Sequence, residues 1–286
     1  MPSLPLLLAA LLLAPSLSLA QAPAPEGRLK KIQETRTIAV AYRPDAVPFS
    51  FEDADRKPAG YTVDLCRGVI DAMARQLGVP LQARWVPVTA QTRFTAVASG
   101  QADMECGAST VTLGRKMEVG FSSLVFVDGT GLLVRSSTPG YSLLALGGKK
   151  IGVIGGTSNE RALAEAMTRA DVKATVVAVK SREEGLEQLE AGRIDAFASD
   201  RVLLLGLLGK AKDPNGMALM ADALSYEPYA IVLPRGDWAL QQAVDAALAQ
   251  IYASDQLQAI YERWFAGLGR PNPVLEIMYG LGRLPQ

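Results

Sequence analysis

From residue 37 onward, strand-like and helix-like segments alternate along the chain, which restricts the fold to layered α/β architectures. Thr37 to Tyr42 reads as a buried strand, and Pro44 to Pro58 as a loop with a short extended piece at Phe49 to Glu52. Cys66, Val69, Ile70, Met73 and Leu77 recur at helical spacing, giving one apolar face that Gly78 and Pro80 terminate. A strand over Leu81 to Val88, a helix over Arg93 to Ala98 and a strand over Ala102 to Cys106 continue the order. The junction Val97 to Met104 is echoed at Leu189 to Ala196, each placing a helix, a Gly stop and an Asp ahead of a buried strand. Such an echo suits two lobes of similar wiring. The second opens at the apolar strand Lys149 to Ile154, followed by a helix whose start, Thr157 to Glu160, spells a capping box.

The ends read differently. An apolar stretch from Leu4 to Leu13 leads to Ser18-Leu19-Ala20, whose small residues suit signal peptidase, so residues 1–20 are expected to be a cleaved signal peptide. Residues 21–36 follow as a leader or linker. Extended segments at Val125 to Val134 and Tyr229 to Leu233 are the natural crossovers between lobes. This division assigns 37–129 with 231–268 to a discontinuous first lobe and 130–230 to the second. The Pro/Gly-rich stretch 269–286 is left as an irregular tail.

Acidic and basic residues balance at 29 each, so broad attraction to nucleic acid or an anionic membrane is not expected. There is no His, which removes the commonest general base and metal ligand. No cofactor or metal is expected, since neither a nucleophile elbow nor a metal-ligand cluster is present. Gly155-Gly156-Thr157 lacks the Lys of a phosphate loop and suits instead a helix N-terminus whose amides face a carboxylate. Charges gather at strand ends: Arg43 after the first strand, Arg93 opening a helix, Arg115 after the turn Cys106 to Thr112, and Asp200 beyond Ala196 to Ala198. Ligands of open α/β sheets sit beyond those ends, and together these charges outline a cleft. Cys66 and Cys106 can pair in an oxidising compartment, but both also suit apolar surroundings as free thiols, and two free thiols are expected.

Gly60-Tyr61-Thr62-Val63-Asp64-Leu65 resembles the signature of the family 3 periplasmic solute-binding proteins of amino-acid ABC transporters, with Thr62 in place of the usual acid. The resemblance runs from about Thr37 to Phe265 and implies the type II periplasmic-binding-protein fold, two α/β lobes joined by two crossover strands. It is nearest the glutamate/aspartate-binding subgroup through Val47-Pro48-Phe49-Ser50-Phe51, Glu105-Cys106-Gly107 and Phe126-Val127-Asp128-Gly129-Thr130. By position it implies that Arg115 clamps the ligand's α-carboxylate, with Thr110 beside it and Gly156 and Thr157 capping the same group from the other lobe. Asp200 then accepts the α-ammonium, while Arg43, Arg93 and Arg182 face an anionic side chain. Ala90 and Ala108 stand where the subgroup carries hydroxyls.

The implied function is capture of an acidic amino acid in the periplasm by a monomer that delivers it to an ABC permease. Two alternatives share the fold: an exported enzyme resembling cyclohexadienyl dehydratases, and a ligand-sensing accessory domain. For the enzyme, Glu105 and Glu160 are the available acids, although Glu160 is already explained by the capping box.

Overall fold

The apolar strands assemble into two separate five-stranded sheets in the computed structural model, which describes residues 25–285. The signal-peptide reading of residues 1–20 lies outside the described residues. The expected linker does contain structure: helix α1 (Gly27–Thr35) packs Leu29 and Ile32 into the core. Arg28 explains its docking, donating from its guanidinium to the carbonyls of Ala102 (2.6 Å) and Val97 (2.9 Å) and from its amide to Asp237 (2.9 Å). Six of the nine residues of α1 are charged or polar, so its sparse apolar face gives little helical signal in the sequence.

Next come β1 (Thr37–Tyr42), a small hairpin sheet of β2 (Asp45–Ala46), β3 (Ser50–Glu52) and β4 (Pro58–Ala59), and helix α2 (Tyr61–Leu77). Gly60 starts α2 at φ 127°, and a Cβ there would collide with the Phe49 carbonyl, so the turn requires glycine. After β5 (Gln82–Pro87), α3 (Arg93–Ala98) and β6 (Met104–Glu105), strand β7 (Gly120–Asp128) completes this part of the first sheet. The chain then crosses at Gly129 into β8 (Thr130–Arg135) of the second sheet.

That sheet continues through β9 (Lys150–Ile154), α4 (Ser158–Arg169), β10 (Thr175–Val179), α5 (Arg182–Glu190), β11 (Ala196–Asp200), α6 (Arg201–Leu208) and β12 (Met217–Leu219), in the order β10-β9-β11-β8-β12. The return differs from expectation. Strand β13 (Glu227–Leu233) pairs antiparallel with β7 from Glu227↔Asp128 onward, so residues 227–230 belong to the first sheet and 220–226 make the crossing. An apolar run announces a strand but not the partner with which it pairs. The first sheet thus has the order β5-β1-β6-β13-β7. Helices α7 (Trp238–Tyr252) and α8 (Asp255–Phe265) pack on its face.

The expected irregular tail is also partly ordered: α9 (Pro273–Leu281) buries Leu275 and Tyr279. The Tyr279 and Tyr61 hydroxyls share a hydrogen bond of 2.7 Å, and Tyr61 also donates to the Val125 carbonyl at 2.9 Å. Asn272 caps the helix through the Leu275 amide and Pro273 opens it, a start signal inside a Pro/Gly-rich stretch. Cys66 and Cys106 form a disulfide, with 6.4 Å between their Cα atoms, correcting the expectation of two free thiols. Both residues are buried, as apolar context suggests; what local sequence cannot show is that α2 lays one directly over the end of β6.

Phe49 is fully buried in an aromatic cluster with Tyr61, Phe126, Tyr229 and Phe265, at ring-centroid distances of 4.8 to 6.1 Å. Such pairs add about 0.5–1.5 kcal/mol each beyond area burial. They anchor the loop between β1 and β3 and so hold Arg43 and Asp45 at the mouth between the sheets.

Candidate functional site

Both sheets turn strand ends toward one shared cleft. From the first come Arg43 after β1, Arg93 opening α3, Thr110, and Arg115 in a single helical turn; from the second come the start of α4, Arg182 opening α5 and Asp200 ending β11. Arg43, Arg93 and Arg182 are 3–5% exposed, and Asp200 is 4% exposed.

The basic half is layered. Arg93 donates Nε to Ser109 Oγ at 2.9 Å and Nη1 to the Ala90 carbonyl, and its guanidinium lies 4.2 Å from the Phe94 ring centroid. Arg115 lies over the same ring at 4.8 Å and donates Nη1 to the Thr110 carbonyl at 2.7 Å. Burial, with Arg43 and Arg115 close by, pushes Arg93 down to about 9. Burial also lowers Arg115, with Glu227 and Asp200 opposing. Glu105 beneath this layer is fully buried; burial raises its titration against the pull of Arg93, and neither carboxyl oxygen has a hydrogen-bond partner among the described residues.

The acidic half sits where the chain crosses between sheets. Asp200 is raised by burial and then by Glu227, and its Oδ1 has no partner among the described residues. Glu227 Oε1 accepts from Ser225 at 2.6 Å and Thr130 at 3.2 Å, while Asn159 of α4 donates to Thr130 Oγ1 at 2.8 Å. Asp128 accepts from the amides of Gly129 (2.8 Å) and Val202 (3.0 Å), tying the end of β7 to the start of α6.

Burial and the Asp200 carboxylate push Asp128 up to about 7. The folded protein therefore keeps a proton that the unfolded chain releases above pH 4, and stability falls as pH rises through 7. From pH 5 to 8 this costs roughly 2–3 kcal/mol, with Asp200 and Glu105 acting in the same direction. Asp45 is held below the usual carboxylate range and stays ionised throughout. Urea unfolding of the protein without ligand should show a falling midpoint over this range, flattened by Asp128→Asn. A midpoint that rises with pH would contradict the assignment.

Thr157 caps α4 by accepting from the Glu160 amide at 3.3 Å, the forward half of the capping box. The return bond comes from one residue before the N-cap and changes one expectation: the Gly156 amide donates to Glu160 Oε2 at 2.8 Å and is not a free donor. The two lobes touch here, with Ser158 Oγ 3.2 Å from Thr110 Oγ1 and Gln91 Nε2 donating to the Gly155 carbonyl at 3.3 Å. Ala90 packs among residues of the second lobe, and Ala108 packs on the first core, so neither adds a hydroxyl to the cleft.

Several site residues escaped sequence reasoning. Asp45 binds both Arg43 and Arg182, and its position two residues after Arg43 was the available signal. Asn159, Ser225 and Glu227 join through hydroxyl networks whose members are distant in sequence. Ser109 stands between Ala108 and Thr110 and turns its hydroxyl to Arg93.

Chemically, the cleft offers guanidiniums to carboxylates at one end and a buried carboxylate to a cation at the other. The family model described as bacterial extracellular solute-binding proteins, family 3, matches residues 38–267. The L-glutamate/L-aspartate-binding protein of Pseudomonas aeruginosa is 36% identical over 241 residues, covering 84% of this chain and 80% of its own. The glutamate/aspartate import solute-binding protein of Escherichia coli strain K12 is 32% identical over 262 residues, covering 90% and 87%. Among solved structures, an ancestral amino acid-binding protein that is a precursor of cyclohexadienyl dehydratase aligns with TM-score 0.73 at 26% identity, over 84% of this chain and 100% of that one. An ancestral arginine-binding protein bound to glutamine aligns with TM-score 0.71 at 27% identity, over 80% and 97%.

Proposed function

The chain belongs to the bacterial extracellular solute-binding proteins of family 3, and from that premise we propose that it captures glutamate or aspartate outside the cytoplasmic membrane. It delivers this ligand, as an exported monomer, to the permease of an ABC importer. The relatives named for glutamate and aspartate binding support the ligand class, and the residues between the lobes support it independently.

One observation carries the reading. Arg115 and Asp200 stand on opposite lobes, Arg115 is partly buried and Asp200 almost fully so, and Asp200 Oδ1 has no partner among the described residues. A free α-amino acid supplies what each lacks: a planar carboxylate for the guanidinium fork and an ammonium for the acid. A zwitterion held in this way contacts both lobes and favours the closed arrangement. Thr110 and the Thr157 end of α4 lie beside the carboxylate position. The side chain then points toward Arg93, Arg43 and Arg182, which calls for an acidic end. Ligand capture by these groups requires no cofactor and no bond-making step.

Calorimetric titration of the mature protein with glutamate, aspartate, glutamine and asparagine tests this. The acids are expected to bind at least tenfold more tightly than their amides. Arg93→Ala should reduce that preference by roughly 10–100-fold, while the amides lose little, because an uncharged side chain never used the guanidinium. Equal affinity for acids and amides in the wild type would defeat the acidic-ligand assignment.

A further inference from the structure

At the mouth of the cleft, Asp45 engages two arginines from opposite lobes. Arg43 forks its carboxylate, donating Nε to Oδ1 and Nη2 to Oδ2, each at 2.9 Å. Arg182 reaches across from α5 and donates Nη1 to Oδ2 at 3.3 Å. The arginine side chains are 4% and 6% exposed and Asp45 is 20% exposed, so this cluster is largely dry. A cavity of about 320 Å³ adjoins it, lined by Arg43, Asp45, Thr89, Ala90 and Lys180, among others. Arg93 is close enough to feel the charges of both Arg43 and Arg182.

Three guanidiniums therefore converge where the ligand's side chain would end, and the protein supplies one carboxylate of its own among them. Glu105, below Arg93, is a weak counter-charge because burial favours its protonated form. Asp45 is the reverse: burial pushes it up, but Arg182 and Arg43 together outweigh that and keep it ionised.

Resting on the acidic-ligand reading above, we propose that Asp45 is an internal counter-ion that limits the negative charge a ligand side chain can bring. It occupies two donors of Arg43 and one of Arg182, and its charge repels any second anionic group placed beside them. One side-chain carboxylate is accepted on Arg93 and the remaining donors; a side chain with two carboxylates is rejected. Asp45 also ties the lobes together at the mouth, so this selection acts on the closed form.

Glutamate and γ-carboxyglutamate are the discriminating probes, since they share a backbone and differ by one side-chain carboxylate. The wild type should bind γ-carboxyglutamate at least tenfold more weakly than glutamate. Asp45→Asn keeps the shape and removes the charge, and should reduce that ratio by tenfold or more; Asp45→Ser provides a smaller neutral variant should the amide perturb folding. If both ligands shift by the same factor, or the ratio grows, the counter-ion role is overturned while the acidic-ligand reading stands. If the wild type binds neither ligand, the acidic-ligand reading fails and the counter-ion role falls with it.

Discussion

Arg115→Ala should weaken every α-amino acid ligand by about 3–5 kcal/mol, a loss of about a hundredfold or more. The magnitude follows from what the substitution leaves behind. Arg115 is partly buried, with one hydrogen bond to the Thr110 carbonyl, and it balances the field of Glu227 and Asp200. Without it, the ligand's α-carboxylate enters a dry cleft with two protein carboxylates nearby and no fork to receive it. All α-amino acids carry that group, so glutamate and aspartate should lose alike, unlike the selective loss expected for Arg93→Ala. Arg115→Lys should fall between, since it restores a charge but not two parallel donors. Titration calorimetry decides the point. A loss below tenfold, or one confined to a single ligand, would place the α-carboxylate elsewhere.

The largest effect on stability should come from Cys66 and Cys106. Their bond closes a loop with a sequence separation of 40, and removing such a cross-link frees chain entropy worth about 4 kcal/mol in the unfolded state. For a chain of this size, the double alanine variant should melt roughly 8–15 °C lower. The bond joins α2 to the segment after β6, directly beside Glu105, so ligand affinity should also suffer as that end of the strand loosens. Scanning calorimetry measures the first effect, and thiol titration of the denatured, unreduced wild type should find no free thiol. A drop of less than 2 °C, or two titratable thiols, would refute the cross-link's role.

Much of this molecule is written in short-range pattern. Strand β1 is legible because Thr37 to Tyr42 is apolar and bounded by turn residues, and α2 because its apolar residues repeat with the helical period. The capping box at Thr157 to Glu160 is legible because it needs only residues three apart. Arg43, Arg93 and Asp200 were identifiable as cleft charges because they stand at strand ends or helix starts, positions that a single chain already reveals.

Pairing between distant segments was not legible. Asp45 and Arg182 lie 137 residues apart, and nothing local to either tells which charge crosses the cleft to meet it. Local sequence leaves the Gly156 amide free, whereas the fold of the first turn brings Glu160 back onto it. Tyr279 makes α9 part of the first lobe through a hydroxyl 218 residues away, whereas composition alone described that stretch as irregular. By itself the sequence determined the alternation of elements and the residue types offered at their ends, because backbone propensity and hydrophobic period act over a few residues. The tertiary structure decided which of those residues meet, where the chain crosses back and which thiols join, because these depend on packing between surfaces that local sequence does not describe.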